Sequence, residues 1–165
     1  MARPQRIEPG PGQESVWDYP RPPRVEAVRA RVTIELGGRV IADTTRAMRV
    51  LETSHPPAYY LPPEDFVDGV LVPASGSTFC EFKGRAAYFD VVSALVVAPS
   101  AGWYYPEPSR GFEQIAGFVS VYPGRMQRCT VDGEDVTPQE GGFYGGWITA
   151  NIVGPFKGST GTWGW

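Results

Sequence analysis

Short alternating segments joined by glycine turns limit what this chain can fold into. From Val28 to Leu36, apolar side chains recur at alternate positions, with Arg, Thr and Glu between them. A period of two predicts a half-buried strand. Gly37-Gly38 then predicts a two-residue hairpin turn, and Arg39–Ala42 starts the return strand. This repeating pattern predicts antiparallel pairing between neighbouring strands.

Further segments follow the same pattern. Two more turns predict hairpins: Lys83-Gly84 between Ser77–Phe82 and Arg85–Val92, and Asp132-Gly133 between Arg128–Val131 and Glu134–Thr137. The apolar run from Val92 to Ala98 predicts a strand buried on both faces. In Phe143–Thr149, the pair Gly145-Gly146 indicates a bulge or a close approach of the backbone.

Helical periodicity is weak throughout the chain. Pro63–Val70 and Gly111–Ala116 each predict a single helical turn. The 20 glycines and 17 prolines among 165 residues favour short strands over long helices. We therefore predict a mostly β, single-domain fold over residues 15–165: an antiparallel sheet or partly closed barrel with short helical turns and long loops rich in Pro and Gly. Residues 1–14 predict a flexible N-terminal arm, since they contain little to bury.

Composition argues against several classes of protein. The net charge of −3 shows none of the basic excess that nucleic-acid binding needs, so no nucleic-acid partner is expected. No apolar run reaches the roughly 18 residues of a membrane span, and no signal peptide is readable, so we expect a cytoplasmic protein without a membrane partner. Two cysteines, Cys80 and Cys129, and one histidine, His55, predict reduced thiols and no structural zinc.

The loop from Arg49 to Asp65 concentrates residues that can carry chemistry. It holds Glu52, the only histidine, Tyr59 and Tyr60, and four prolines stiffen it. His55 is a candidate general acid or base, because an unperturbed imidazole titrates near neutrality. The alternative is that Ser54-His55-Pro56-Pro57 forms a rigid turn in which His55 bonds the backbone.

Two Phe-Lys-Gly turns place Lys83 and Lys157 at tight bends, where an ammonium group can bind an anion. Cys80 lies beside Lys83 and is either a reactive thiolate or a small buried apolar residue. The C-terminal Gly-Ser-Thr-Gly run does not have the order of a phosphate-binding P-loop, and structural turns remain the alternative there. Two W-x-Y-P-x-P segments, Trp17–Pro22 and Trp103–Pro108, reflect either an ancient duplication or chance similarity.

These residues predict a polar, aromatic pocket for a small anionic or nucleotide-like ligand. The candidate catalytic residues are Glu52, His55 and Lys83; the candidate ligand-binding residues are Arg49, Tyr59, Tyr60, Asp65, Trp103, Tyr105 and Lys157. No metal ligands are assigned on composition. The Arg49–Asp65 loop and both Phe-Lys-Gly turns are expected to face one cavity. The alternative is a non-catalytic structural or protein-interaction module.

Several segments together resemble the family called domain of unknown function 427, which is also labelled nucleotidyltransferase-like. The resemblance is carried by V-W-D-Y-P-R-P-P-R from Val16, E-T-S-H-P-P-A-Y-Y from Glu52, F-K-G-R-A-A-Y-F from Phe82, W-Y-Y-P-E-P from Trp103, I-A-G-F-V from Ile115 and the tail from Val131. It covers most of residues 15–165 and implies a compact β-rich domain. The label also implies nucleotidyl transfer. Only in that case is Mg²⁺ expected, with Glu52 and Asp65 as candidate ligands.

Overall fold

The computed structural model describes residues 4–165. Strands make up 44% of the chain and helical turns 7%, and no helix in the described part reaches seven residues. The strands are β1 (Glu14–Ser15), β2 (Arg24–Ala27), β3 (Val32–Leu36), β4 (Arg39–Thr44), β5 (Met48–Leu51), β6 (Ala58–Tyr60), β7 (Leu71–Cys80), β8 (Gly84–Ser93), β9 (Val96–Tyr104), β10 (Ser120–Val121), β11 (Arg128–Val131), β12 (Glu134–Asp135), β13 (Thr137–Pro138), β14 (Trp147–Ile148) and β15 (Ile152–Val153).

Most of the strands form antiparallel sheets, and the prediction of a mostly β fold is confirmed. Two sheets have four strands each, in the orders β10-β9-β8-β7 and β12-β11-β3-β4, and a third has the order β2-β5-β6. β13 pairs with β14, and β1 pairs in parallel with β15. None of the sheets within residues 4–165 closes into a barrel. Short 3₁₀ turns connect them at Val16–Asp18, Pro63–Asp65, Glu113–Ile115 and Pro123–Arg125.

Hairpin turns occur where glycine supplies positive φ angles. Gly37 and Gly38 have φ values of 63° and 80°, and Asp132 and Gly133 have 48° and 81°. Positive φ at both central residues twists a two-residue turn to match the flanking strands. Both predicted hairpins are confirmed. The β7–β8 hairpin is also present, but its turn is Glu81–Lys83, because Cys80 pairs with Gly84.

The predicted continuous strand from Val92 to Ala98 is wrong. β8 ends at Ser93, β9 begins at Val96, and Ala94-Leu95 forms the turn between them. Ala94 has a φ of 53°, and the Leu95 side chain is fully exposed. An alanine in this conformation carries no sequence signal of a turn, which is why the apolar run conceals the hairpin.

Alternation along the short strand β6 divides two buried clusters. Tyr59 packs in the larger cluster, where its ring stacks on Trp147 at 4.9 Å between centroids. Tyr60 points to the opposite face and packs with Trp103 and Tyr105 in the second cluster. Successive side chains of a strand face opposite sides, so one step along β6 crosses the sheet. The second cluster forms the floor of the cavity described below.

Other expectations concern the ends and turns of the chain. The predicted flexible arm lies partly, at residues 1–3, outside the described residues; Glu14, at its other end, pairs with Ile152. The two W-x-Y-P-x-P segments differ in structure, because Trp17 lies in a 3₁₀ turn and Trp103 in β9. Among residues 4–165, no helix has the length and apolar character needed to cross a membrane.

Candidate functional site

A cavity of about 390 Å³ opens over the second buried cluster. Its walls come from the loop before β6, the β7–β8 hairpin, strand β9 and the segment from residue 139 to 157. Seven of the residues predicted for a site line it: Glu52, His55, Tyr60, Lys83, Trp103, Tyr105 and Lys157. The cavity thus combines charged groups with an aromatic floor.

A tight turn brings Glu52 and His55 together. The His55 backbone N–H donates to the Glu52 carbonyl at 3.0 Å, and Ser54 inside the turn has a φ of 73°. The ring Nε2 of His55 lies 3.5 Å from Glu52 Oε2. The Arg21 guanidinium lies 3.8 Å from the same oxygen. The turn therefore presents a carboxylate and an imidazole to the cavity at one point.

His55 is a neutral imidazole. Burial lowers its pKa to about 3, and the nearby cations Lys157, Arg21 and Lys83 act in the same direction. The Gln139 amide lies 3.5 Å from its Nδ1, and the edge of the Tyr144 ring packs on it at 5.2 Å between centroids. At neutral pH the ring can accept a proton only weakly, which disfavours His55 as the free general base of a reaction.

Lys83 enters the cavity from the tip of the β7–β8 hairpin. Its carbonyl accepts a 2.8 Å hydrogen bond from the Ser109 backbone N–H, which holds the tip against the neighbouring loop. Burial alone would lower the pKa of Lys83, but Tyr60, Cys80 and Glu52 together raise it above the ordinary value. Lys83 is therefore cationic at neutral pH. It forms no salt bridge to a carboxylate anywhere in residues 4–165.

Lys157 reaches the cavity from the C-terminal side. Its backbone N–H donates to the Ser54 carbonyl at 2.9 Å, which ties this strand-like segment to the Glu52–His55 turn. Its ammonium lies 5.8 Å from the centre of the Tyr144 ring and 3.4 Å from the Trp165 carbonyl oxygen. The two Phe-Lys-Gly turns thus place their lysines at one cavity.

The floor of the cavity is aromatic and supplies hydroxyl groups. Trp103 Nε1 donates to the Tyr60 hydroxyl at 3.2 Å, and Tyr122 packs on Trp103 at 4.7 Å between centroids. Burial raises the pKa of Tyr60 and of Tyr105, so both phenols keep their protons. Protonated phenols beside Lys83 can donate hydrogen bonds to an anion.

Glycines allow the C-terminal segment to close the wall. A Cβ at Gly145 would lie 2.3 Å from Trp103 Cη2, and a Cβ at Gly146 would lie 2.5 Å from Gln139 Oε1. The close backbone approach indicated by Gly145-Gly146 is therefore present. The strand predicted over Phe143–Thr149 is shorter than expected, since only Trp147–Ile148 pairs.

Exposed aromatic side chains mark the mouth of the cavity. Phe79 on β7 and Phe143 on the C-terminal segment both line it, yet 74% and 73% of their surfaces are exposed. Trp163 is exposed to a similar degree and lies near Tyr144, at 6.5 Å between centroids. Large apolar side chains gathered at a cavity entrance are suited to contact an apolar group.

Three predicted site residues lie elsewhere. Arg49 pairs across the sheet with Tyr59, and both face away from the cavity. The Arg49 guanidinium is mostly buried and bridges Glu14 at 3.0 Å and Glu26 at 3.1 Å. Asp65 bonds Thr44 at 2.7 Å and Arg46 at 2.9 Å. Arg49, Tyr59 and Asp65 therefore make contacts within the fold, outside the cavity.

Other cavity residues were not predicted as a site. Tyr88 and Tyr122 line it, and the only sequence signal for Tyr88 is its place in the predicted strand Arg85–Val92. Phe143 and Tyr144 lie in an aromatic, glycine-rich segment, and its glycines do predict a close approach of the backbone to another part of the chain. Gln139 had no signal, because nothing near it in sequence suggests an amide facing a histidine.

Both cysteines are free thiols in the structure. Cys80 lines the cavity beside Lys83, whereas Cys129 lies on β11 opposite Ile34 of β3, where burial raises its pKa. Cys80 is thus the thiol that a cavity ligand would cover.

Glu52 and Asp65 do not form a shared magnesium site. Glu52 lines the cavity, but Asp65 does not and is occupied by Arg46 and Thr44. Within residues 4–165, no group of three or more His, Cys, Asp or Glu side chains is arranged to hold a metal ion. The pair of Glu52 and Asp65 therefore does not fit a Mg²⁺ site.

Comparison with known proteins identifies the family. No curated protein matches the chain. Residues 24–132 match the model of the family described as "Domain of unknown function (DUF427)", whose short label is NTP_transf_9. The matched range holds Glu52, His55, Lys83 and the aromatic floor, while Gln139, Tyr144 and Lys157 lie beyond it. The match spans more than half of the sequence, and the chain belongs to the DUF427 family.

Proposed function

We propose that this protein binds a small molecule that carries an anionic group and an apolar or aromatic part. The observation that carries the proposal is the half-buried, cationic Lys83, which lines the cavity and forms no salt bridge to a carboxylate within residues 4–165. A cation that lines a cavity without a salt bridge can form a charge-assisted hydrogen bond with a bound anion. The protonated phenols of Tyr60 and Tyr105 add donors at the same place.

The apolar part of the ligand has its own support. Trp103, Tyr122 and Tyr144 line the cavity, and Phe79 and Phe143 stand exposed at its mouth. A cavity of about 390 Å³ has the size of a small-molecule site. A phosphorylated aromatic compound, including a nucleotide-like one, combines the required features. We expect such a ligand in a cytoplasmic setting, without nucleic acid as a partner.

The first test measures ligand-induced thermal stabilisation. The probes are inorganic phosphate, phenyl phosphate, 3-phenylpropanoate and AMP, each titrated against the wild-type protein. A ligand at 100 times its Kd adds about 2.7 kcal/mol to the free energy of unfolding. We expect phenyl phosphate to stabilise wild type more than inorganic phosphate does, because it also uses the aromatic floor.

Lys83→Gln should remove most of that stabilisation. Arg85→Gln is the matched control, since it removes the same charge from an exposed site on the same hairpin. Equal stabilisation of both variants would contradict the role of Lys83. A flat response of wild type to all four probes would contradict the proposed function itself.

The exposed aromatic rim favours one alternative, a module that binds another protein. Phe79, Phe143 and Trp163 would then contact the partner, and the lysines would matter little. The double variant Lys83→Ala/Lys157→Ala separates the two functions. Loss of binding to phenyl phosphate and AMP in this variant supports the small-molecule site, and unchanged binding supports a surface role for the rim.

A further inference from the structure

The amide of Gln139 has one fixed orientation. Its Oε1 accepts a 3.0 Å hydrogen bond from the Gly146 backbone N–H. Its Nε2 donates to the Lys157 carbonyl oxygen at 2.6 Å. A backbone donor on one side and a backbone acceptor on the other leave no freedom to exchange the amide oxygen and nitrogen. The second N–H of the amide therefore points toward His55.

This orientation selects a tautomer of His55. Gln139 Nε2 lies 3.5 Å from His55 Nδ1, and a neutral Nδ1 facing an N–H must act as the acceptor. The proton of the neutral ring then resides on Nε2, which faces Glu52 Oε2 at 3.5 Å. In the opposite tautomer, the Nδ1–H of His55 would face the Gln139 N–H. The lone pair on Nε2 would then face the Glu52 carboxylate. Both contacts thus favour the same tautomer.

The two carboxylate oxygens of Glu52 differ, because Oε2 has neighbouring donor groups and Oε1 has none within residues 4–165. His55 and Arg21 both approach Oε2, at 3.5 and 3.8 Å. Glu52 Oε1 has no hydrogen-bond or salt-bridge partner within residues 4–165, and the side chain lines the cavity. An ionised carboxylate oxygen can only accept hydrogen bonds. A ligand in the cavity can satisfy it with a hydroxyl or amine group.

We propose that Gln139 is a positioning residue that holds His55 as the Nε2–H tautomer, so that Glu52 Oε1 is presented to the cavity as the acceptor for a donor group of the ligand. Gln139 lies beyond residues 24–132, so the segment that follows the family-matched region sets this part of the site. The role toward the ligand rests on the proposed function. The tautomer itself does not depend on any ligand.

The tautomer can be read directly from the ligand-free protein, because His55 is the only histidine of the chain. A two-bond ¹H–¹⁵N correlation spectrum of untagged protein at pH 7 shows a single imidazole. We expect Nε2 to appear protonated and Nδ1 unprotonated. A spectrum of the Nδ1–H tautomer, or of the imidazolium, would overturn the proposal.

Two variants test whether Gln139 is responsible. Gln139→Met keeps the length of the side chain and removes the amide, and Gly146→Ala displaces the amide, because the new Cβ would lie 2.5 Å from Oε1. Both should raise the share of the Nδ1–H tautomer, although the Glu52 carboxylate still favours Nε2–H. Gln127→Met is the control, since its amide caps the Gly38 N–H at an exposed turn. A pure Nε2–H spectrum in both test variants would show that Gln139 does not position the ring.

The role toward the ligand is tested with paired probes. Phenyllactate and 3-phenylpropanoate differ in one hydroxyl group, which only phenyllactate can donate to Glu52. Wild type should bind phenyllactate several-fold more tightly, and Gln139→Met should lose that preference while still binding 3-phenylpropanoate. Equal affinities in wild type would overturn the acceptor role of Glu52. If neither probe binds to wild type, the proposed function is contradicted. The assignment of the His55 tautomer would not be affected, because it is measured without a ligand.

Discussion

His55 depends on its neighbours for its charge state. Burial and the surrounding cations Lys157, Arg21 and Lys83 keep the ring neutral, although Glu52 lies beside it. A neutral ring can hold Glu52 and Gln139 in fixed relative positions without adding a third positive charge to the cavity. At the scale of single residues, His55 therefore contacts both Glu52 and Gln139, while the groups that can bind a ligand are those of Glu52 and Lys83.

The depressed pKa predicts how stability changes with pH. The pKa of His55 is about 3 in the folded chain against an ordinary value of 6.5, so between these values the unfolded chain binds a proton that the folded chain does not. The free energy of unfolding must fall as pH falls through this window. The contribution is roughly 3 kcal/mol between pH 7 and pH 4.

His55→Gln should remove this contribution. Urea unfolding at pH 7 and pH 4 measures it, and the loss between the two pH values should be smaller in the variant than in wild type. Carboxylates with lowered pKa, such as Asp43 and Asp65, also contribute to acid instability, but they are common to both proteins. An identical loss in both proteins would show that His55 titrates normally in the folded state.

At the scale of elements, the C-terminal segment closes the cavity at its glycines, where the absence of a side chain lets the backbone come close to the wall. Gly145 packs directly on the Trp103 ring, and Gly146 fits between Gln139 and Pro56. Farther along, a Cβ at Gly158 would lie 2.1 Å from the Glu140 carbonyl oxygen. These contacts explain why a run with little regular pairing still has a defined path.

Gly145→Ala should strain this wall. Its Cβ would lie 2.3 Å from Trp103 Cη2, so either the ring or the segment must move. Overpacking of this kind costs about 1–3 kcal/mol of unfolding free energy, measured by urea denaturation. Gly142→Ala is the matched control, because no atom lies within 4 Å of its new Cβ. Equal stability of both variants would mean that Gly145 does not pack on Trp103.

The elements differ in how far they could be predicted from sequence. Gly37-Gly38 and Asp132-Gly133 identify their hairpins because positive φ angles favour those residues. Ala94-Leu95 also forms a two-residue turn, with positive φ at Ala94 alone, but it lacks that signal and its apolar neighbours predict burial instead. The site shows the same limit. Tyr59 and Tyr60 looked equivalent, and only the pairing of β6 with β5 decides which one faces the cavity.

At the scale of the whole molecule, the cavity depends on contacts between distant parts of the chain. The Glu52–His55 turn, the tip of the β7–β8 hairpin and the segment from 139 to 157 meet over strand β9. Recurring Phe-Lys-Gly turns were enough to suggest that Lys83 and Lys157 belong together. The contact between Gln139 and His55 could not be inferred, because it spans 84 positions and has no local pattern.

An anionic ligand bound in the cavity next to Lys83 would cover Cys80, so this thiol can report the ligand directly. Cys80 is partly exposed and lines the cavity, whereas Cys129 is buried and serves as an internal control. Alkylation of each thiol by iodoacetamide is followed by mass spectrometry with and without saturating phenyl phosphate. We expect the ligand to slow modification of Cys80 several-fold in wild type and in Arg85→Gln, but not in Lys83→Gln, and to leave the rate at Cys129 unchanged. An unchanged Cys80 rate in wild type, at a ligand concentration that stabilises the protein, would place the ligand elsewhere and contradict an anion site beside Lys83.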